Sequence, residues 1–221
     1  MESGYAGKRR FVQCAIGWLL ALLFTLPAFA QQPPERTVLV MGDSLSAGYG
    51  LAADEGWVSL LGEKLAAEHP GKEQPGWRVV NASISGETTA GGSSRIVGEV
   101  LRNKPAVVVI ALGANDGLRG LPLREARRNL ARMIGASQYV GAKVLLVGMR
   151  MPPNLGPEYT QGFERIYRDL SQQFHTGYLP FLLEPIALDR NAFQDDNLHP
   201  TAAAQPQLRD HVWSALRPLL D

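Results

Sequence analysis

Cysteine is nearly absent: the 221-residue chain has one, Cys14. A lone cysteine forms no internal disulfide, so stability must come from a packed core, which a chain of this size can build without cross-links or metal. An excess of charge of one sign is also missing. Twenty-two basic residues face 21 acidic ones, a net charge of +1, which gives no electrostatic case for nucleic acid or an anionic membrane surface. No histidine, cysteine or carboxylate spacing matches a metal site, and there is no internal repeat or low-complexity segment. The Gly-x-Ser-x-Gly elbow of the α/β-hydrolases does not occur. What remains is ordinary for one globular domain: 45% hydrophobic, 19% charged and 8% aromatic.

The first thirty residues differ in kind. Lys8-Arg9-Arg10 is a basic head, Phe11 to Leu26 an apolar run, and Ala28-Phe29-Ala30 a small-residue cleavage site. This is the pattern of a secretory signal peptide cut after Ala30, leaving one domain over residues 31–221. The run of sixteen residues falls short of the ~20 needed to span a bilayer, so a retained anchor is the weaker reading. Cys14 leaves with the signal, and thiol chemistry leaves with it. Three basic groups and one acidic group are also removed, so the mature chain has 19 basic against 20 acidic residues. The expected location is the periplasm or the medium, and a near-neutral protein suits an uncharged or amphiphilic substrate.

Strand and helix patterns then alternate. Val38–Met41 is short, apolar and bounded, as a buried strand is. A helix is expected over 57–68 with Trp57, Leu60, Leu61 and Leu65 inward, and a strand over 78–82. A second helix is expected over 90–103, with Ile96, Val97, Val100 and Leu101 as its apolar face. Residues 106–112 run apolar without alternation, the mark of a central parallel strand covered on both faces. Pro122 opens a helix to about Val140, capped by Gly141. A strand over 143–149, a helix over 158–175 and a weak strand near 178–181 follow. Thr201 is expected to cap a C-terminal helix that Pro206 bends and Pro218 ends. The alternation predicts a three-layer α/β/α fold with a mostly parallel sheet.

Right-handed crossovers would put the loops after the strands along one edge, where such sheets bind ligands. The polar clusters fall on those loops. Gly42-Asp43-Ser44 follows the first strand, and a serine there needs a base to act as nucleophile. Asp196-Asn197-Leu198-His199 supplies one in a spacing that lets the Asp196 carboxylate reach Nδ1 of His199 and leaves Nε2 for the serine proton. The same tetrad also occurs as a plain surface turn. His69, His175 and His211 read as structural. Donors for an oxyanion are available from the Ser44 N–H, the Gly86 N–H and the Asn115 side chain, though glycine and asparagine are also common turn residues. Gly48-Tyr49-Gly50-Leu51-Ala52-Ala53 formally fits a dinucleotide fingerprint but starts too far beyond its strand, with no acidic residue at the required point.

Taken together, Gly42-Asp43-Ser44-Leu45, the block at Gly86, Gly113-Ala114-Asn115-Asp116 and Asp196-x-x-His199 resemble the four blocks of the GDSL, or SGNH, hydrolase family. Asn81-Ala82-Ser83-Ile84-Ser85-Gly86 and Asn115-Asp116-Gly117-Leu118-Arg119-Gly120 are similar to its bacterial thioesterase, lysophospholipase and arylesterase group. The resemblance spans about residues 37–220. It implies a flavodoxin-like fold, a Ser44–His199–Asp196 triad, an oxyanion hole of Ser44, Gly86 and Asn115, and no cofactor. Ala114 and Asn197 depart from it, each standing where glycine is usual. Ala114 is expected to pack beneath the loop, and asparagine tolerates the positive φ that the Asn197 turn needs. The resemblance implies a serine esterase for acyl esters, and thioesters or lysophospholipids beside them. A carbohydrate or peptidoglycan O-acetyl esterase with the same triad, and a non-catalytic lipid- or glycan-binding module, are the alternatives. A small-molecule substrate is the only partner implied. The sequence does not set the oligomeric state, with a monomer the default.

Overall fold

The computed structural model describes residues 35–68 and 76–221. The signal-peptide segment, Cys14 and His69 lie outside the described residues. Among the described residues, five strands form one sheet: β1 (Arg36–Gly42), β2 (Trp77–Asn81), β3 (Val107–Ala111), β4 (Lys143–Val147) and β5 (Gly177–Leu179). Their order is β2-β1-β3-β4-β5, and all four pairings are parallel. This is the flavodoxin-like order, in which the chain builds outward from β1 in both directions. The crevice where that reversal occurs, between the carboxyl ends of β1 and β3, is where such folds bind ligands.

The sheet is covered on both faces, which is why its central strands are apolar without alternation. Val38 and Val40 of β1 and Val107 and Val109 of β3 point to one layer. That layer is made by α2 (Trp57–Glu68) and the last helix, α7 (Gln205–Leu216), through Trp57, Leu61, Leu65, Leu208 and Val212. Leu39, Met41, Val108 and Ile110 point to the other layer, formed by α3 (Thr89–Asn103), α5 (Leu123–Tyr139) and α6 (Pro157–Phe174).

Four sequence expectations need correction. In α2, Val58 is buried and Leu60 only half-buried. In α3 the buried stripe is Thr89, Gly92, Ser93, Ile96 and Val100, while Val97 and Leu101 are exposed. Small and polar residues lie on the inner face because the helix sits close to its neighbours; a Cβ on Gly92 would collide with Leu112 and Met133. Reading only large apolar residues therefore rotates the face. Pro206 lies in the first turn of α7 and does not bend it, since a missing N–H costs nothing there. Thr201 makes no side-chain cap bond; its hydroxyl donates to the Ala192 carbonyl at 3.3 Å.

Candidate active site

The loop after β1 is a one-turn helix, α1 (Ser44–Ala47), where sequence patterning gave only a loop. Asp43 caps it. Its Oδ1 accepts from the Leu45 N–H at 3.1 Å, and its carbonyl accepts from Ser46 and Ala47 at 3.1 and 2.8 Å. Asp43 thus satisfies the turn's other early donors and leaves the Ser44 N–H uncommitted. Behind the turn, the Trp57 indole N–H donates to the Leu45 carbonyl at 3.1 Å, and Asn81 Nδ2 to the Ser46 carbonyl at 2.8 Å. Gly48 closes the turn at φ +75° and Gly50 follows at φ +76°, so the Gly-x-Gly stretch ends a helix. A dinucleotide fingerprint would have to begin one.

Ser44 Oγ lies 2.8 Å from Nε2 of His199. Nδ1 of the same ring lies 2.6 Å from Oδ2 of Asp196. Oδ1 of Asp196 accepts from the Leu198 and His199 N–H groups at 2.9 and 3.0 Å. The His199 side chain, then those two backbone donors, lower the Asp196 pKa to about 2. An ionised Asp196 only accepts, so Nδ1 carries the proton and Nε2 is left to accept from the Ser44 hydroxyl. Asn197 sits at φ +56°, the left-handed conformation that the tight turn requires and that asparagine tolerates. Gln194 anchors this loop: its N–H donates to the His199 carbonyl at 2.8 Å. Its Nε2 donates to the carbonyls of Tyr49 and Pro200 at 2.9 and 3.0 Å.

The two remaining expected site residues meet across the crevice. Ala82 and Ile84 donate to the Val40 and Gly42 carbonyls at 2.9 and 3.0 Å, docking the Gly86 loop on the end of β1. Gly86 has φ +80°, and a Cβ there would meet nothing within 4 Å. Glycine therefore answers the conformation of the turn, which L side chains rarely adopt. Asn115 lies in α4 (Ala114–Leu118), again a short helix in place of a loop. Its Nδ2 donates to the Glu87 carbonyl at 3.1 Å, which leaves the second amide hydrogen for a ligand. Gly113, at φ +125°, admits the turn; a Cβ would strike the Tyr167 hydroxyl, which is committed to the Leu112 carbonyl at 2.8 Å. Ala114 is buried in the core with Leu45, so its methyl packs inward.

Sequence reasoning missed the groups that hold this arrangement. Asp116, 2% exposed, accepts from the Thr89 N–H at 2.8 Å and the Thr89 hydroxyl at 2.5 Å. It ties α4 to the start of α3. Glu87 and Arg95 form a paired ion bridge, 2.8 and 2.5 Å, and Arg95 also donates to the Ala82 carbonyl at 2.8 Å. These partners come from separate segments, so no local spacing announces them.

Asp43 is 1% exposed, and burial pushes its pKa up from 3.8 to about 6, against the Leu45 N–H and the attraction of His199. A raised carboxyl pKa favours the neutral form in the fold. Its stability contribution is full below pH 3.8 and is lost as pH rises towards about 6. Asp43→Asn keeps a good cap and removes the buried charge. The variant should be more stable at pH 7 by on the order of 2–3 kcal/mol at most, with the gain vanishing below about pH 4. Thermal melts of both proteins across that range check it.

Comparison with known proteins agrees with this geometry. The GDSL-like lipase/acylhydrolase family profile matches residues 40–205. Esterase TesA of Pseudomonas aeruginosa is 46% identical over 202 residues, 91% of this chain and 98% of that one. Thioesterase 1/protease 1/lysophospholipase L1 of Escherichia coli is 35% identical over 204 residues, 92% of this chain and 94% of that one. The crystal structure of the psychrotrophic esterase EstA from Pseudoalteromonas sp., inhibited by monoethylphosphonate, superposes with a TM-score of 0.78. It is 38% identical and covers 84% of this chain and 99% of its own. The chain belongs to the GDSL-like lipase/acylhydrolase family, and it is a serine ester hydrolase.

Proposed function

We propose that Ser44 is the nucleophile of an exported esterase that cleaves acyl esters, acyl thioesters and lysophospholipids, with His199 as base and Asp196 as its orienting acid. The observation that supports this most is the continuous relay from Asp196 Oδ2 through His199 to Ser44 Oγ, at 2.6 and 2.8 Å. Ser44 Oγ attacks the acyl carbonyl as its proton passes to Nε2. The resulting oxyanion is held by the Ser44 and Gly86 N–H groups and the free amide hydrogen of Asn115. The carbonyl re-forms, the C–O or C–S bond breaks, and Nε2 returns the proton to the leaving group. Water then gives a proton to Nε2 and attacks the acyl-enzyme, releasing the acid and restoring Ser44. A thiolate leaves with less help from Nε2, so the same site suits thioesters.

Exposed apolar side chains argue for an amphiphilic substrate. Among the described residues, Tyr49, Ile84, Leu118, Leu121 and Leu198 are large, hydrophobic and exposed. All five sit on the loops that bear Ser44, Gly86, Asn115 and His199. That rim suits an acyl chain better than a glycan bearing a small acetyl group.

A fluorophosphonate should label the wild-type protein at Ser44, and p-nitrophenyl esters of medium chains should be cleaved faster than an acetylated glycan. No labelling and no ester cleavage would leave only a binding module. Export is tested separately: mass spectrometry of secreted material should find a chain starting at Gln31, and full-length protein in the membrane fraction would overturn it. No helix among the described residues is long and apolar enough to cross a membrane.

A further inference from the structure

The aromatic ring of Tyr49 lies against the imidazole of His199, with ring centroids 4.5 Å apart and planes at 36°. Tyr49 is nevertheless 53% exposed, so one part of the ring covers His199 while the rest faces solvent. Its position is fixed from behind. The Tyr49 carbonyl accepts from Gln194 Nε2 at 2.9 Å, and that same nitrogen donates to Pro200, the residue after His199. Glycines at φ +75° and +76° flank it, which lets a tight turn present the ring at the site's edge. A fixed, half-exposed aromatic offers contact area at low entropic cost.

The chemistry says what would meet that ring. In acylation Nε2 of His199 must protonate the departing oxygen, which requires hydrogen-bond contact between the two. The group attached to that oxygen therefore leaves from beside His199, on whose ring Tyr49 rests. We propose that Tyr49 is the leaving-group platform of this esterase, selecting aromatic alcohols over alkyl alcohols of similar bulk. The proposal rests on the roles given above to Ser44 and His199. It concerns acylation alone: Ser44 Oγ bonds to the acyl carbon, the ester C–O bond breaks, and the serine proton reaches the leaving oxygen through Nε2. Once the alcohol has gone, the acyl-enzyme is the same for every ester of one acid.

The test compares phenyl butyrate with ethyl butyrate, which share an acyl group. Tyr49→Leu should lower kcat/KM for the phenyl ester relative to the ethyl ester by about 3- to 10-fold, the range expected for one lost aromatic pair. Tyr49→Phe should keep the wild-type ratio to within about 2-fold. Hydrolysis of the shared butyryl-enzyme should change equally for both esters. A uniform loss on both would make Tyr49 only a wall for His199 and overturn the proposal, as would an unchanged ratio. Product inhibition of the wild-type protein needs no variant. Benzyl alcohol should inhibit at a concentration at least about 3-fold below that of cyclohexylmethanol, and equal inhibition would also overturn it. If the wild-type protein cleaves neither ester, the esterase assignment fails, which is a different result from an unchanged ratio.

Discussion

Ser44→Ala should lower kcat by at least about 10⁴-fold on a soluble ester, and His199→Ala should do nearly as much harm. Each removes one end of a single proton path, Ser44 Oγ to Nε2 at 2.8 Å. Without the hydroxyl there is nothing to acylate. Without the imidazole the hydroxyl stays protonated and weakly nucleophilic at neutral pH. Members of such a unit are strongly non-additive, so the double variant should be little worse than either single one. The fold should survive both changes, since neither side chain belongs to the core clusters on the two faces of the sheet. Steady-state kinetics with circular dichroism as the folding control would decide it. A folded Ser44→Ala protein that keeps more than about a tenth of wild-type kcat would remove Ser44 from the mechanism, because known triads lose far more.

Asp196 is expected to matter through the state of His199 rather than through contact with substrate. Its carboxylate is exposed yet holds three hydrogen-bond donors, which is why its pKa falls to about 2. A lowered carboxyl pKa contributes stability above the ordinary value of 3.8 that is lost as pH falls towards about 2. Over the pH range in which an esterase works, the orienting charge is therefore permanent.

The fold was legible because the strongest patterns come from the sheet. Val107 to Ala111 are buried to the last residue, and a strand enclosed on both faces leaves an unbroken apolar run in the sequence. The proposed nucleophile and base drew attention for a different reason: Ser44 lies just past a strand, and Asp196 and His199 are three residues apart. What escaped depends on pairs formed across the chain. Asp116 meets Thr89 from 27 residues away, and Gln194 meets Tyr49 from 145. Nothing in the sequence marks Asp43 as buried, because its burial to 1% is set by layers that close over it from elsewhere. The stripe of α3 was misplaced by the same kind of blindness. Gly92 and Ser93 face inward because the neighbouring elements come close, which hydrophobicity alone does not encode.

Asn115 is where a turn residue and an oxyanion donor make opposite predictions. Asparagine and aspartate both suit turns, so a purely structural Asn115 should tolerate Asn115→Asp. If instead its free amide hydrogen meets the oxyanion, aspartate replaces a donor with a charge aimed at developing negative charge. The geometry adds a second cost. Nδ2 already donates to the Glu87 carbonyl at 3.1 Å, and a carboxylate oxygen there would face another oxygen with no proton between them. Asn115→Ala removes both bonds without adding repulsion and should lower kcat by roughly 10²–10³-fold. Asn115→Asp should be at least as damaging. KM should move little in either, because the oxyanion exists only on the way to the transition state. The loop itself has other ties to keep it in place: Asp116 holds Thr89, and Arg119 donates to the Gly86 carbonyl at 3.2 Å. A kcat loss at unchanged KM and unchanged melting temperature would thus mark a lost donor. Loss of melting temperature and KM together would mark a broken turn, and a folded, active Asn115→Asp protein would return Asn115 to that lesser role.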